Sequence, residues 1–431
     1  MSSLWFEKAL LKSGWQSGVL LTISHGLIAS IEIDAEPQGE RHAIGIPGMP
    51  NLHSHAFQRV IAGLTEWRSG EPAQKPDSFW SWREQMYKFQ AQIGPDELQI
   101  IASLAYMEML EAGFTRVGEF HYLHHAPDGQ PFTDPAEMAA RIAAAAAQTG
   151  IGLTLLPVFY AHAGFGGQAP NAGQARFIHD IEGFQRLLEA SRKQVAALDD
   201  ALVGIAPHSL RAVTPEELTA LIPMAEGAPI HIHIAEQTRE VEDCLAMTGQ
   251  RPVEWLLDHA PVDAQWCLVH ATHMTPEETT RLATSGAIAG LCPITEANLG
   301  DGLFPARDYL QQGGRFGIGS DSNVLISAAE ELRLLEYGQR LIHRERNVLD
   351  NLYVRALDGA QALGVESGLV VGLPADLVSL DCDLDSFVFA SARSPIDCVW
   401  RFGRKQVTGG RYIRRDAILA DYRRLMQRLS A

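Results

Sequence analysis

Eight short apolar runs, each followed by a stretch that can form an amphipathic helix, constrain this 431-residue chain more than any other feature. The runs are Ile44–Pro50, Thr115–Phe120, Leu153–Tyr160, Leu202–Ala206, Pro229–Ile234, Trp266–His270, Ala287–Leu291 and Phe316–Ser320. The helical stretches carry their own punctuation. "PDELQIIASLAYMEMLEAG" spaces apolar residues at helical intervals and stops at Gly113. "VTPEELTALIPMAEG" and "MTPEETTRLATSG" both open Thr-Pro-Glu-Glu. Thr214 and Thr275 are expected N-caps, Pro takes the first helical position, where no N–H is needed, and Glu217 and Glu278 close capping boxes. A β-loop-α unit repeated eight times predicts an α/β fold, a (β/α)8 barrel over residues 46–365, with a doubly wound open sheet as the competing arrangement.

The ends read differently. Leu4–Ile33 holds short apolar alternations broken at Gly14, Gly18 and Gly26, and Leu369–Ile413, with "VVGLPADLVSLD" and "CVWRFGRKQVTGGRYI", looks alike. Residues 1–45 and 366–431 are therefore expected to build one small β domain from the two termini.

Composition narrows the function. At 46% hydrophobic and 20% charged the chain can bury a large core and does not resemble a disordered one. A net charge of -17 argues against nucleic acid or an anionic membrane surface as partner, though not against a small anionic substrate in a locally basic pocket. No apolar stretch has transmembrane length, and Met1–Ile23 lacks the core of a signal peptide. The five scattered cysteines include no Cys-x-x-Cys, which suits a reduced, cytoplasmic protein; Cys267 and Cys292 sit in apolar runs and are expected in the core.

In a (β/α)8 barrel the chemistry lies at the C-terminal strand ends. Those ends carry His53 and His55 after strand one, "HIHIAEQ" with His231, His233 and Glu236 at strand five, His270 at strand six, and Asp321 in "GIGSDSN" at strand eight. Residues i and i+2 share a strand face, so the His53 and His55 rings can converge. Three imidazoles and a carboxylate, from His53, His55, His233 and Asp321, suit a catalytic Zn²⁺ or similar divalent ion and leave room for a water. Glu236, beyond the strand end, can shuttle protons without binding the ion. His233 is nearer the rim than His231, which is expected one layer down and hydrogen-bonded in the barrel interior. His273 is expected in a loop, and His124 and His125 solvated or behind the site. The lysines, Lys8, Lys12, Lys75, Lys88, Lys193 and Lys405, avoid the expected barrel strands, so no carboxylated lysine can bridge two ions and a single ion is inferred.

This constellation resembles the amidohydrolase superfamily in its mononuclear aminohydrolase branch, and the terminal stretches resemble that superfamily's small β-sandwich. Within it, "GMPNLHSHAFQR", "GEFHYLHH", "APHSLRAV", "HIHIAEQ", "CPITEANLGDG" and "GIGSDSN" are similar to the family that deiminates N-formimino-L-glutamate in histidine degradation. The resemblance implies a homodimer with one Zn²⁺ per subunit (Fe²⁺ or another divalent ion being possible). It implies a small-molecule substrate, N-formimino-L-glutamate, converted with water into N-formyl-L-glutamate and ammonia. It also implies roles. Asp321 and His270 orient the water and help remove its proton, and Glu236 passes a proton to the leaving nitrogen. Arg83 and Arg211 hold the carboxylates, for which a planar guanidinium fork is suited. Tyr122 and His208 contact substrate; apart from the resemblance, Gln58 is expected either to contact it too or to be a helix-start residue. The alternative is another mononuclear aminohydrolase, of guanine, adenine or triazine deaminase type, whose neutral ring has no use for two rim arginines. A non-catalytic scaffold would have lost ligands that are all present here. The glycine-rich "HAGFGGQ" after strand three lacks the spacing and lysine of a phosphate loop and reads as a lid.

Overall fold

Residues 2–66, 79–391 and 394–429 are described in the computed structural model. Lys75, and Asp77 and Ser78 ahead of Arg83, lie outside them. The barrel is present, and all its strands are parallel. Strands one to eight are Met49–Ser54, Phe114–His121, Gly152–Phe159, the split pair Leu202–Val203 and Ala206–Pro207, Ile230–Ile234, Trp266–His270, Ile288–Leu291 and Arg315–Ile318. Strand eight returns to strand one. Strands four and five close the ring through His231 N–H to the Ile205 carbonyl and His233 N–H to the His208 carbonyl, both 3.0 Å. Strand four breaks at Gly204, where a Cβ would lie 2.4 Å from the Pro229 carbonyl oxygen, so that only glycine allows the approach.

The interior is packed rather than open. Leu52, Cys267, Val269, Ile288 and Cys292 point inward and meet Ala362 and Leu363. His231 donates from Nε2 to the Ala362 carbonyl at 2.6 Å in this layer, as expected. The two capping boxes form: Thr214 and Thr275 each accept from the N–H three residues on, and Glu217 and Glu278 reach back.

The strand expected over Ile44–Pro50 is two strands. Glu40–Pro47 belongs to the terminal sheet, and barrel strand one starts only at Met49. Both halves are apolar and buried at the join, so hydrophobicity does not mark it. Gly48 does: a Cβ there would strike the Thr115 side chain at 2.3 Å. Among the described residues the terminal sheet has eight strands, and it joins both ends of the chain by pairing Glu40–Pro47 with Leu377–Leu380. It encloses its own core, including Leu4, Phe6, Val19, Leu21 and Trp400. Past the expected β segment, Arg415–Leu429 is a helix whose Ile418 and Leu425 join the barrel's core, with Arg428 2.9 Å from Glu97.

Candidate metal centre and substrate pocket

Among the described residues, five non-glycine residues at the C-terminal rim hold left-handed backbone: Ala235 (φ 50°), His270 (69°), Ala271 (46°), Asp321 (44°) and Asn323 (55°). Such conformations cost free energy and persist only where surroundings impose them. Here they turn the ends of strands five, six and eight so that their polar side chains face one point.

Strands one and eight interlock beneath that point. Asp321 N–H donates to the His53 carbonyl and His55 N–H to the Asp321 carbonyl, both at 2.9 Å. Asn51 accepts from Ser320 N–H and donates to the Ser320 hydroxyl, and Asn323 donates to Ser54 Oγ and the His55 carbonyl. The ligand-bearing turns therefore hold one another in place.

The four expected ligands converge. His53 Nε2 lies 3.1 Å from His55 Nε2 and 3.0 Å from His233 Nε2, and Asp321 Oδ1 lies 3.4 and 3.2 Å from His53 and His55 Nε2. His55 donates from Nδ1 to the Phe120 carbonyl at 2.9 Å, and His233 from Nδ1 to the His208 carbonyl at 3.0 Å. With those protons on Nδ1, the Nε2 atoms of His55 and His233 present lone pairs toward His53 Nε2, as ligands of one cation would. Zinc–nitrogen bonds of about 2.0–2.1 Å in a tetrahedron place ligand nitrogens about 3.3 Å apart, close to the spacing found. The donor set fits a divalent ion. Burial, with His55 beside it, pushes His53 down to about 3, so the ring is neutral, as a ligand must be. Burial would raise Asp321, but the His53 and His55 rings beside it hold its carboxyl well below the ordinary range.

A second layer of charge surrounds His270. Its Nε2 is 3.7 Å from Asp321 Oδ2 and 3.8 Å from Glu236 Oε1, and its Nδ1 is 3.3 Å from Glu296 Oε1. Burial acts to lower the imidazole's pKa, but Glu236, Glu296 and Asp321 outweigh it and push it up to about 10, so His270 is a cation in this arrangement. Burial holds Glu236 above the usual carboxylate range against the attraction of His270 and Arg211. Arg211 reaches Glu236 at 4.0 Å and Glu240 at 3.9 Å, and its buried Nε has no hydrogen-bond partner among the described residues.

One pocket is lined by His55, Gln58, Arg83, Tyr122, His208, Arg211, His233, Glu236, His270 and Asp321, so the expected residues meet, with His53 buried just beneath. Gln58 donates to the Tyr122 hydroxyl at 2.7 Å, which aligns both on one wall. Arg83 sits on the helix Phe79–Gln90 rather than in a loop, its guanidinium 4.5 Å over the Trp80 ring, with no carboxylate of the described residues within ion-pair distance. His124 is buried, not solvated: its Nε2 donates to the Val158 carbonyl at 2.9 Å.

Sequence reasoning missed several members. Tyr87, Tyr160 and Phe177 complete the apolar wall, and Thr295 and Leu299 line the side beside strand seven. Glu240 accepts from Ala235 N–H at 3.2 Å and Glu236 N–H at 3.3 Å, holding the strained turn that presents Glu236. Glu119 accepts from Ala56 N–H at 2.7 Å; burial outweighs that bond and pushes the carboxyl up to about 7. Glu240 and Glu296 lie in helices, where an acidic residue ordinarily reads as a solvated face. The strained turns that bring them inward leave no mark in the sequence.

The profile of the amidohydrolase family matches residues 44–405, and that of the N-terminal domain of formimidoylglutamate deiminase HutF matches residues 1–43. The chain is 50% identical to a formimidoylglutamate deiminase of Pseudomonas aeruginosa, over 96% of this chain and 95% of that protein. A solved amidohydrolase from Brucella melitensis superposes with a TM-score of 0.96 at 52% identity, covering 100% of both chains. A zinc-bound adenosine deaminase from Xanthomonas campestris shares the fold, with a TM-score of 0.83 at 22% identity over 99% of this chain and 98% of that one.

Proposed function

The chain belongs to the amidohydrolase family, and from that premise we propose that it hydrolyses N-formimino-L-glutamate to N-formyl-L-glutamate and ammonia. The observation that carries the reading is Arg211, a buried guanidinium with an unpaired Nε that lines the same pocket as Glu236 and the ligand imidazoles. Glu236 and Glu240 lie 4.0 and 3.9 Å away, beyond hydrogen-bond reach, so a neutral ring substrate would leave that N–H without the close charged acceptor a carboxylate supplies. A dicarboxylate with a formimino head satisfies both ends of the pocket.

In this reading His53, His55, His233 and Asp321 hold one divalent ion, with zinc the first choice for three imidazoles and a carboxylate. When bound, that ion supplies Lewis-acid activation of water near neutral pH. The remaining work falls to side chains. Arg211 and Arg83 bind the two carboxylates, and the Gln58–Tyr122 pair and His208 border the substrate. Asp321 accepts the proton of the attacking water. His270, positively charged and donating Nδ1–H to Glu296, orients the water and stabilises negative charge developing on its oxygen. Water adds to the formimino carbon, Glu236 delivers a proton to the terminal nitrogen, the carbon–nitrogen bond breaks, ammonia leaves, and the hydroxyl proton passes to the Glu236 carboxylate as the formyl carbonyl forms. Residues 46–365 carry this chemistry, and 1–45 with 366–431 form the smaller domain.

The resemblance supports a homodimer, and the five scattered, unpaired cysteines suit a reducing cytoplasm. No helix of the described residues is long and apolar enough to cross a membrane. Ammonia release, measured on one sample of known metal content, tests the function. N-formimino-L-glutamate should be preferred by kcat/KM over N-formimino-L-aspartate, adenine and guanine. Better turnover of a purine would overturn the proposal.

A further inference from the structure

Cys292 is a thiol that this reaction leaves unused. It follows the last residue of barrel strand seven, where Ile288, Gly290 and Cys292 share one face. It is fully buried among interior residues, and its sulfur makes no hydrogen bond among the described residues. It faces the catalytic rim. A ring nitrogen of His270, the Cys292 sulfur and a carboxylate oxygen of Asp321 all lie within 4.8 Å of one another, and all three residues are buried.

Asp321 looks two ways. Its Oδ1 lies 3.2 and 3.4 Å from His55 and His53 Nε2, whereas Oδ2 lies 3.7 Å from His270 Nε2. A carboxylate placed so can bridge two ions about 3.5–4 Å apart. The surroundings favour added positive charge, since the buried carboxylates of Glu236 and Glu296 also flank His270.

We propose that His270, Cys292 and Asp321 form a second, inhibitory site for a soft divalent ion, filled when Zn²⁺ or Cd²⁺ exceeds one per subunit. The proposal rests on His53, His55, His233 and Asp321 holding the first ion. Thiolate, imidazole and carboxylate together select thiophilic ions over Mg²⁺ or Ca²⁺. On binding, the Cys292 thiol and the His270 imidazolium each release one proton to solvent, and sulfur and nitrogen bond to the ion. His270 can then no longer orient the water, nor Oδ2 of Asp321 accept its proton, so turnover stops while the first ion stays in place.

The test uses holoenzyme prepared with one Zn²⁺ per subunit and titrated with Cd²⁺. Bound metal after dialysis, the ultraviolet thiolate-to-cadmium band and the deiminase rate are read on each sample. Wild type should keep its zinc, take up one Cd²⁺, gain the band and lose activity in step. Cys292→Ser, with Cys292→Ala as a second variant, should turn over normally without Cd²⁺, lack the band and need roughly 10- to 100-fold more Cd²⁺ for inhibition. Equal sensitivity in the variants, a second ion without a thiolate band, or release of the zinc in exchange for cadmium would overturn the proposal. If no protein retains zinc before cadmium is added, the first-centre reading has failed instead.

Discussion

Glu236 has one oxygen 3.8 Å from His270 and the other 4.0 Å from Arg211, so its proton moves among buried partners rather than to bulk water. Burial raises its pKa above the usual carboxylate range, which favours the protonated form that the leaving nitrogen needs. Glu236→Gln should retain one metal per subunit by elemental analysis while turnover falls roughly 10²- to 10⁴-fold; near-normal turnover would remove Glu236 from the mechanism. Glu240 acts through Glu236. Its two oxygens accept from the N–H groups of Ala235 and Glu236, and it balances Arg211. Glu240→Gln retains one acceptor and sets an N–H against the other donor. Losing a charged hydrogen-bond partner costs about 1.5–3 kcal/mol, so kcat/KM should fall at least ~10-fold with metal content unchanged. Loss of metal or of thermal stability in parallel would make Glu240 merely structural. At this scale the imidazoles were legible because histidines fell at the ends of apolar runs. Glu240, Glu296 and Asn323 were not, since their roles depend on turns at Ala235, Ala271 and Asp321 that no residue type announces.

Among elements, the helices that begin Thr-Pro-Glu-Glu were the most readable, because each start is a local device whose side chains bond to backbone within four residues. Thr214→Ala and Thr275→Ala should each cost about 1 kcal/mol in urea unfolding, from the loss of one N-cap hydrogen bond. An unchanged midpoint would mean that tertiary packing alone holds the helix start. Barrel strand one was less legible. Its apolar run passes without interruption from one sheet into the other, and the division at Gly48 depends on how closely Thr115 packs. The helix Arg415–Leu429 was legible but not read: Ile418, Leu419, Tyr422, Leu425, Met426 and Leu429 recur at helical spacing and pack against the core.

The whole molecule keeps many imidazoles out of water. Apart from the expected ligands themselves, burial pushes His121 down to about 3 and His231 to about 4, from an ordinary 6.5. The unfolded chain takes up protons below pH 6.5, while the folded one does not until pH 3–4. The stability from keeping each ring neutral is therefore complete above pH 6.5 and lost as pH falls, by about 2 kcal/mol per histidine between pH 7 and 5. Urea midpoints should drop over that interval, and a flat profile would contradict the assignment. Barrel closure and the union of both termini in one sheet bring groups from residues 53 to 321 to a single rim, and that convergence is the central claim. Anomalous diffraction at the metal edge, from active crystals carrying one equivalent of zinc, tests it most directly. The result predicted is one peak about 2.0–2.2 Å from Nε2 of His53, His55 and His233 and from Oδ1 of Asp321. A peak elsewhere, or none in crystals that still release ammonia, would contradict it.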